Sequence, residues 1–191
     1  MPEAVEISST TANLLTAFED EVNARCRYNA YSVKADVEGL HGIASLCRAL
    51  ARAEETHAEN HAKVIKGSGG QVRCEVHSFP VGQTLENLRI ALGGELYECE
   101  TLYPTFLENA EIAKNNPAIR TFRFAMQAEK SHAKLFRDVI ELTESANTDS
   151  WIAVARNFYV CPVCGYISEA REMKLNCPVC AGPQRQFEQI N

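Results

Sequence analysis

Apolar side chains recur at helical spacing along four long segments of this chain. In the first segment, residues 10–38, they step by three or four positions along one face, which is the period of an amphipathic α-helix. The same period predicts further helices over residues 40–66, 83–115 and 116–145. The last 35 residues lack this period and are rich in Cys, Pro and Gly, so we expect a separate small module there.

The boundaries between these segments predict an antiparallel helix bundle with one long crossover. A Gly-rich run at residues 67–70 ends the second helix, and the connection continues to residue 82. Antiparallel neighbours are joined by short loops, so a connection of this length implies a crossover. Pro104 should kink the third helix, and Asn116 should cap the fourth, with Pro117 in its first turn.

One motif that suits metal binding occurs twice on the predicted helices. Glu54-x-x-His57 and Glu129-x-x-His132 each place a carboxylate and an imidazole one helical turn apart. Residues at this spacing share a helix face, so each pair can bind one metal centre.

A single acid precedes each pair at nearly the same distance. Glu21 lies 33 positions before Glu54, and Glu95 lies 34 positions before Glu129. All four acids fall within the apolar stripe of their helix, where an uncompensated carboxylate costs several kcal/mol. Two divalent cations would balance four carboxylates. The spacing therefore predicts two duplicated helix pairs that close around a carboxylate-bridged di-metal site.

Other polar residues near these acids can be interpreted in two ways. Glu98 lies three positions after Glu95 and is either a spare metal ligand or a surface acid. Tyr28 and Tyr103 could orient the carboxylates by hydrogen bonding, or they could fill the core. His61 is either a group near the metal or an ordinary core histidine.

The C-terminal module carries a strong metal-binding signal. Two Cys-Pro-Val-Cys pairs supply four thiolates, from Cys161, Cys164, Cys177 and Cys180. Four thiolates at this spacing form a tetrahedral site for iron or zinc, and a module of this size needs the metal to fold. Gly165 suits the tight turn after the first pair, and Tyr159, Tyr166 and Phe187 are expected to form a small apolar cluster.

Composition narrows the class of protein further. The net charge of −6 argues against nucleic-acid binding, and no apolar run approaches the roughly 20 residues of a membrane span. The acidic N-terminus lacks the order of a signal peptide, so we expect a cytoplasmic location. We expect two domains, a bundle over residues 1–150 and a four-cysteine domain over residues 151–191.

Two stretches of the chain resemble motifs of the rubrerythrins. Residues 18–28, Phe-Glu-Asp-Glu-Val-Asn-Ala-Arg-Cys-Arg-Tyr, resemble the first-helix motif, and residues 94–104, Gly-Glu-Leu-Tyr-Glu-Cys-Glu-Thr-Leu-Tyr-Pro, resemble the third-helix motif. With both Glu-x-x-His pairs and the C-terminal cysteines, the resemblance covers nearly the whole chain. It implies an all-α fold, a ferritin-like four-helix bundle with a small C-terminal rubredoxin-like domain.

The resemblance also implies an activity, that of a non-haem di-iron peroxidase that reduces hydrogen peroxide to water. By it, Glu54 and Glu129 bridge two iron ions, and Glu21 and Glu95 are terminal ligands.

In the same family pattern, His132 binds one iron permanently. The other iron exchanges His57, its ligand in the reduced state, for Glu98 in the oxidised state. A third iron in the four-thiolate site would pass on the electrons, although zinc fits the same ligands.

The expected partners are hydrogen peroxide and an electron donor, either a reductase or a rubredoxin. The linker after residue 146 is short, so we expect a homodimer in which the tail of one subunit lies near the bundle of the other. Two alternatives stay open at this point. One is an iron-oxidising, iron-storing protein, and the other is a structural protein loaded with zinc.

Overall fold

The computed structural model describes residues 9–145, 150–171 and 175–191. Its helices are α1 (Ser9–Val37), α2 (His41–Gly67), α3 (Thr84–Tyr97), α4 (Tyr103–Ile112), α5 (Asn116–Glu144) and the short α6 (Ser150–Ala153). A π-helical turn (Glu98–Leu102) joins α3 to α4, and a 3-10 turn (Gln184–Gln186) precedes the last of three strands, β1 (Phe158–Val160), β2 (Ile167–Ser168) and β3 (Glu188–Ile190).

The first five helices form the predicted four-helix bundle. Helices α1 and α2 pair as one hairpin, and α3 and α4 together form the third rod, which pairs with α5. The extended connection between α2 and α3 is the predicted crossover, and Asn23 on α1 holds it by bonding the backbone of Glu75 and His77. Among the described helices, none combines the length and apolar character that crossing a bilayer requires.

Two apolar clusters fill the bundle, one on each side of the layer that contains the four predicted acids. The first includes Leu14 and Phe122, and the second includes Tyr31 and Leu50. All four side chains are at most 2% exposed. Burial of each large apolar side chain contributes roughly 1.5–3 kcal/mol, so the acids lie between two layers that hold the helices rigidly.

The third rod is interrupted where the sequence predicted a kink, but the interruption begins earlier than Pro104. The α-helical hydrogen bonding ends at Tyr97, and the five residues of the π turn precede α4, in which Pro104 lies in the first turn. Proline has no N–H and cannot continue an α-helical ladder from the preceding turn. The irregular hydrogen bonding lies just before the proline, in the π turn, where the N–H of Tyr103 donates to the carbonyl oxygen of Glu98.

The π turn also explains why one spacing in the repeat differs by one residue. Tyr28 follows Glu21 by seven positions, whereas Tyr103 follows Glu95 by eight. A π turn holds one more residue than an α-helical turn, so it inserts a residue without displacing the rest of the helix. The two halves of the bundle therefore match in space although their sequences differ in length.

The prediction that Asn116 caps the fourth helix is wrong by one residue. Asn115 is the cap, and its side-chain oxygen accepts a hydrogen bond of 3.1 Å from the backbone N–H of Ala118. Asn116 is the first helical residue, followed by Pro117. Two adjacent asparagines offer the same cap chemistry, and only the backbone geometry decides between them.

The cap gives a matched pair of variants. Asn115→Ala should lower the free energy of unfolding by about 1 kcal/mol, because the N–H of Ala118 loses its partner. Asn116→Ala changes an exposed side chain and should stay within about 0.5 kcal/mol of the parent protein. Urea unfolding of both variants measures the difference, and equal losses would contradict this assignment of the cap.

The C-terminal tail folds as a small antiparallel sheet around the cysteines. The strand order is β2-β1-β3, with Tyr159 opposite Ser168 in one ladder and opposite Gln189 in the other. Phe187 is fully buried among the cysteines, and Tyr159 and Tyr166 pack against the same cluster, as predicted.

The tail packs against the bundle of its own chain, so the expectation that the linker is too short to allow this is wrong. Arg52 on α2 makes a two-pronged ion pair with Glu188 on β3, with distances of 2.6 and 3.0 Å. Helix α6 runs directly over Gly42 on α2, where a Cβ atom would lie 2.0 Å from the carbonyl oxygen of Trp151. A glycine at this position lets the backbone of α6 approach α2 closely.

Candidate metal centres

Six of the predicted ligands of the carboxylate site converge at the middle of the bundle. They form two groups in which the ligand atoms lie within 4.8 Å of one another, Glu21, Glu54, His57 and Glu129 in one and Glu54, Glu95, Glu129 and His132 in the other. Every member is at most 1% exposed. Helices α2 and α5 contribute to both groups, α1 adds Glu21 to the first and α3 adds Glu95 to the second, so the complete site needs all four rods.

Two carboxylates are shared between the groups, and each presents one oxygen to each histidine. Glu129 places Oε1 2.7 Å from Nδ1 of His57 and Oε2 2.7 Å from Nδ1 of His132. Glu54 places Oε2 2.9 Å from Nδ1 of His57 and Oε1 3.7 Å from Nδ1 of His132. This is the arrangement of carboxylates that can bridge two cations.

The outer nitrogens of both histidines bond to the cysteine tail. Nε2 of His57 lies 2.9 Å from the backbone oxygen of Cys164, and Nε2 of His132 lies 3.1 Å from that of Gly165. A carbonyl oxygen only accepts, so each Nε2 carries a hydrogen. In the neutral ring, Nδ1 then carries a lone pair on the side of the carboxylates, and this nitrogen is suited to bind a metal.

Several buried atoms of the cluster lie close to one another but make no hydrogen bond of suitable geometry among the described residues. They are Oε2 of Glu21, both oxygens of Glu54, Nδ1 of His57, Oε2 of Glu95 and Oε1 of Glu129. Buried polar atoms without a partner cost about 1–3 kcal/mol each. Oxygen and imidazole donors that converge in this way fit two iron ions, which satisfy them together.

Hydroxyl donors orient the two unshared carboxylates. Tyr28 donates to Oε1 of Glu95 over 2.5 Å, and Tyr103 donates to Oε1 of Glu21. Each tyrosine thus bonds to the acid on the opposite rod rather than to the acid on its own helix. Glu21 lies beside His57, with Oε1 3.5 Å from its Nδ1, and Glu95 lies beside His132, with Oε2 3.4 Å from its Nδ1.

The pKa values of Glu54 and His57 reflect the cost of burying several carboxylates close together. Burial, reinforced by the charges of Glu129 and Glu21, raises the pKa of Glu54 to about 8. Although burial opposes the charged ring, Glu129 and Glu21 raise the pKa of His57 well above its ordinary value. Proton uptake is the compensation open to the metal-free protein, so metal binding should release protons.

Glu98 lies at the start of the π turn and is 8% exposed. Its carboxylate belongs to neither group of mutually close ligand atoms in the described part of the chain. Burial and the nearby charges of Glu21 and Glu129 raise its pKa well above the ordinary value. Glu98 is therefore a buried acid near the cluster but set apart from it, and the surface-acid interpretation is wrong.

The four cysteines of the tail form a second group, with Sγ atoms within 4.8 Å of one another. Cys161 and Cys180 have Sγ atoms 3.6 Å apart, and those of Cys164 and Cys177 are 3.5 Å apart. Tetrahedral thiolates with metal–sulfur bonds near 2.3 Å have sulfur atoms about 3.8 Å apart, so the group fits one metal ion.

The two cysteine loops have the same backbone shape but different residues at the turn. Gly165 adopts φ +77°, as its position after the first pair predicts, and Ala181 adopts φ +61° at the equivalent position. In both loops, the N–H of the turn residue donates to the first cysteine, over 3.0 Å to Cys161 and 2.9 Å to Cys177.

Two features of this site had weak signals in the sequence. His61 is fully buried, and its Nε2 lies 3.1 Å from the hydroxyl of Tyr103. Its only signal was a position one turn after His57 on the same face. The contact of Gly165 with the histidines is made by backbone, and backbone contacts between distant segments leave no residue pattern.

Comparison with known proteins agrees with this geometry. The rubrerythrin family model matches residues 12–140, and the model for the rubredoxin-like domain of rubrerythrins matches residues 159–188. Rubrerythrin-2 of Clostridium acetobutylicum is 33% identical over 97% of this chain and 98% of its own. Rubrerythrin of Porphyromonas gingivalis is 30% identical over 98% of this chain and 93% of its own.

Solved structures show the same fold. Nigerythrin in its fully reduced, all-ferrous state has a TM-score of 0.83 at 29% identity, covering 98% of this chain and 90% of that one. The bacterioferritin BfrA of Mycobacterium tuberculosis has a TM-score of 0.68 at 20% identity, covering 75% of this chain and 91% of that one, which shows the shared ferritin-like fold alone. The buried Glu/His cluster is a site for two iron ions, and the four cysteines form a rubredoxin-like metal site. The chain belongs to the rubrerythrin family.

Proposed function

We propose that this protein is a non-haem di-iron peroxidase that reduces hydrogen peroxide to water. The reaction consumes one peroxide, two electrons and two protons and yields two water molecules. The observation that supports it best is the pair of hydrogen bonds from His57 and His132 to the backbone of Cys164 and Gly165. They connect a one-electron thiolate site directly to a two-metal site, as a reaction that takes two electrons one at a time requires.

The residues of the cluster have distinct roles in this proposal. Glu54 and Glu129 bridge the two metal positions, because each directs one oxygen to each histidine. Glu21 and Glu95 each bind one position, because Glu21 lies beside His57 and Glu95 lies beside His132. Two iron ions held by these residues would supply the two electrons that cleavage of the peroxide O–O bond requires.

Glu98 and His57 are the residues proposed to change with oxidation state. His57 lies within the cluster, whereas Glu98 is buried beside it and outside both groups. A further carboxylate stabilises a more highly charged metal pair, so Glu98 serves as a ligand in the oxidised state and His57 in the reduced state. His132 keeps its place in both states.

We expect the electrons to come from a separate reductase or a rubredoxin, and the protein to be cytoplasmic. A homodimer also stays a prediction. The contact between tail and bundle that supports the proposal lies within one chain. The division into domains at residue 150 likewise stays a prediction, because α6 lies across that boundary.

Replacement of Glu98 tests the proposed activity and its switch together. Reduced protein mixed with peroxide in a stopped-flow instrument should reoxidise rapidly, and Glu98→Gln should slow this by about 100-fold, since a positioned charge in a buried site is worth a few kcal/mol. Glu100 lies on the same π turn but is exposed, and Glu100→Gln should change nothing.

Two outcomes would contradict this proposal. Reoxidation of the iron-loaded parent protein that is no faster than that of protein with iron only in the thiolate site would refute the peroxidase activity. Equal rates for Glu98→Gln and the parent protein would leave the activity standing and remove the proposed role of Glu98.

A further inference from the structure

The duplicated halves of the carboxylate site differ at one buried position. The residues seven positions after the two Glu-x-x-His glutamates are His61 and Phe136, and both side chains are fully buried. Each lies against the tyrosine of the opposite helix pair. The ring of Phe136 is 5.6 Å from that of Tyr28, and the ring of His61 is 6.0 Å from that of Tyr103. Histidine can bond to a tyrosine hydroxyl, whereas phenylalanine cannot.

The hydrogen bonds around His61 have a defined direction. Tyr103 donates to Glu21, because an ionised carboxylate only accepts. The Tyr103 oxygen then accepts from Nε2 of His61 over 3.1 Å. With the hydrogen on Nε2, Nδ1 accepts from the hydroxyl of Thr121 over 3.0 Å. The result is a continuous chain from Thr121 through His61 and Tyr103 to Glu21.

In the described part of the chain, the corresponding network around Glu95 has a single hydrogen bond. Tyr28 donates to Glu95 over 2.5 Å, and the ring behind it is the apolar Phe136. Glu21 is thus held by three successive hydrogen bonds and Glu95 by one. Hydrogen bonds in a buried network strengthen one another, so the two carboxylates are not held with equal rigidity.

We propose that His61 is a positioning residue that, with Thr121, fixes Tyr103 and so holds the carboxylate of Glu21 in place at its metal position. The inference rests on the metal site proposed above and concerns which metal position binds more tightly. The position beside Glu21 is preorganised, whereas the position beside Glu95 relies on one tyrosine. Loss of the groups that orient a metal ligand typically costs about 10–100-fold in metal affinity.

Titration of the metal-free, full-length protein with Co²⁺ tests this. Cobalt bound by thiolates absorbs differently from cobalt bound by carboxylates, so the two sites can be followed separately. His61→Phe, which copies the other half, should weaken one of the two binding steps at the carboxylate site by about tenfold. The second step and the thiolate site should not change.

Three further variants separate positioning from a general loss of structure. His61→Gln keeps an N–H that can donate to Tyr103 and should recover most of the affinity. Tyr28→Phe is the matched change in the other half and should weaken the other step. His61→Phe combined with Tyr103→Phe should cost no more than Tyr103→Phe alone, since His61 acts through that hydroxyl.

The inference is overturned if His61→Phe leaves both steps unchanged, weakens both equally, or adds fully to Tyr103→Phe. Circular dichroism verifies that each variant is folded. If His61→Phe does not fold, Thr121→Val provides the same test, because it removes the donor to Nδ1 and keeps the side-chain shape; an unchanged affinity in that variant would also overturn the inference. These titrations measure no turnover, so their result stands whether or not the peroxidase activity is found.

Discussion

Gly165→Ala should separate the cysteine tail from the bundle and slow electron transfer to the carboxylate site several-fold, because it breaks the hydrogen bond between His57 and Cys164. A Cβ atom at this position would lie 2.3 Å from Nε2 of His57 and 2.8 Å from its Cδ2. Both the tail and the histidine are fixed by other contacts, so neither can yield without breaking the bond between His57 and Cys164.

The same substitution should lower the free energy of unfolding by about 2–4 kcal/mol. Left-handed backbone costs a residue with a Cβ atom about 1 kcal/mol, and overpacking of a close contact costs about 1–3 kcal/mol more. Urea unfolding measures the stability, and stopped-flow reduction of the carboxylate site measures the transfer.

Gly39 provides a control with the same backbone and no steric conflict. It also has φ +77°, but a Cβ atom there would have nothing within 4 Å. Gly39→Ala should therefore show only the backbone cost of about 1 kcal/mol and unchanged electron transfer. If Gly165→Ala and Gly39→Ala behave alike, the close approach of the tail to His57 does not matter for function.

Glu54→Gln should stabilise the metal-free protein and abolish its stabilisation by metal in the carboxylate site. Both oxygens of Glu54 are buried without a hydrogen-bond partner in the described part of the chain. Near neutral pH the Glu54 carboxyl group must bind a proton when the metal-free protein folds, and a neutral amide removes this cost, so the free energy of unfolding should rise by about 1–3 kcal/mol. The parent protein should gain about 2.7 kcal/mol from metal at 100 times the dissociation constant, and the variant should gain little.

The stability of the metal-free protein should depend on pH in a defined direction. The pKa of Glu54 rises from 4.5 in the unfolded chain to about 8 in the folded, metal-free protein. Below pH 4.5 the carboxyl group is protonated in both states. Between pH 4.5 and 8 the unfolded chain ionises while the folded protein keeps its proton, so stability should fall as the pH rises.

Unfolding of metal-free protein across this pH range checks the prediction. Glu54→Gln should show a flatter stability profile than the parent protein. Glu59→Gln, on the same helix but exposed and paired with Lys63, should follow the parent. If the stability of Glu54→Gln changes with pH in parallel with that of the parent protein, Glu54 is not the group responsible for the pH dependence.

The bundle and most of its ligands could be predicted because they depend on spacing within single helices. Glu54 and His57 share a helix face wherever the helix forms, and the cost of burying acids without cations then points to metal. The cysteine pairs work in the same way. The individual role of each ligand stays a prediction, because spacing within a helix does not distinguish a bridging carboxylate from a terminal one.

Features that depend on geometry between segments could not be predicted. No local signal distinguishes the π turn at Glu98 from a continuous α-helix, and Pro104 indicated only that an irregularity was near. The packing of the tail on its own bundle depends on Gly42 and Gly165, where the decisive feature is a missing side chain. A glycine in a sequence does not reveal which distant backbone will approach it.

The π turn confines one difference between the two halves to a single place. The third rod has one more residue between its acid and its tyrosine, Glu95 and Tyr103, than α1 has between Glu21 and Tyr28. The added length lies in the turn that begins at Glu98, whereas the equivalent place after Glu21 is Ala24. The irregular backbone and the extra buried acid therefore occur together, on the one rod where the spacing differs.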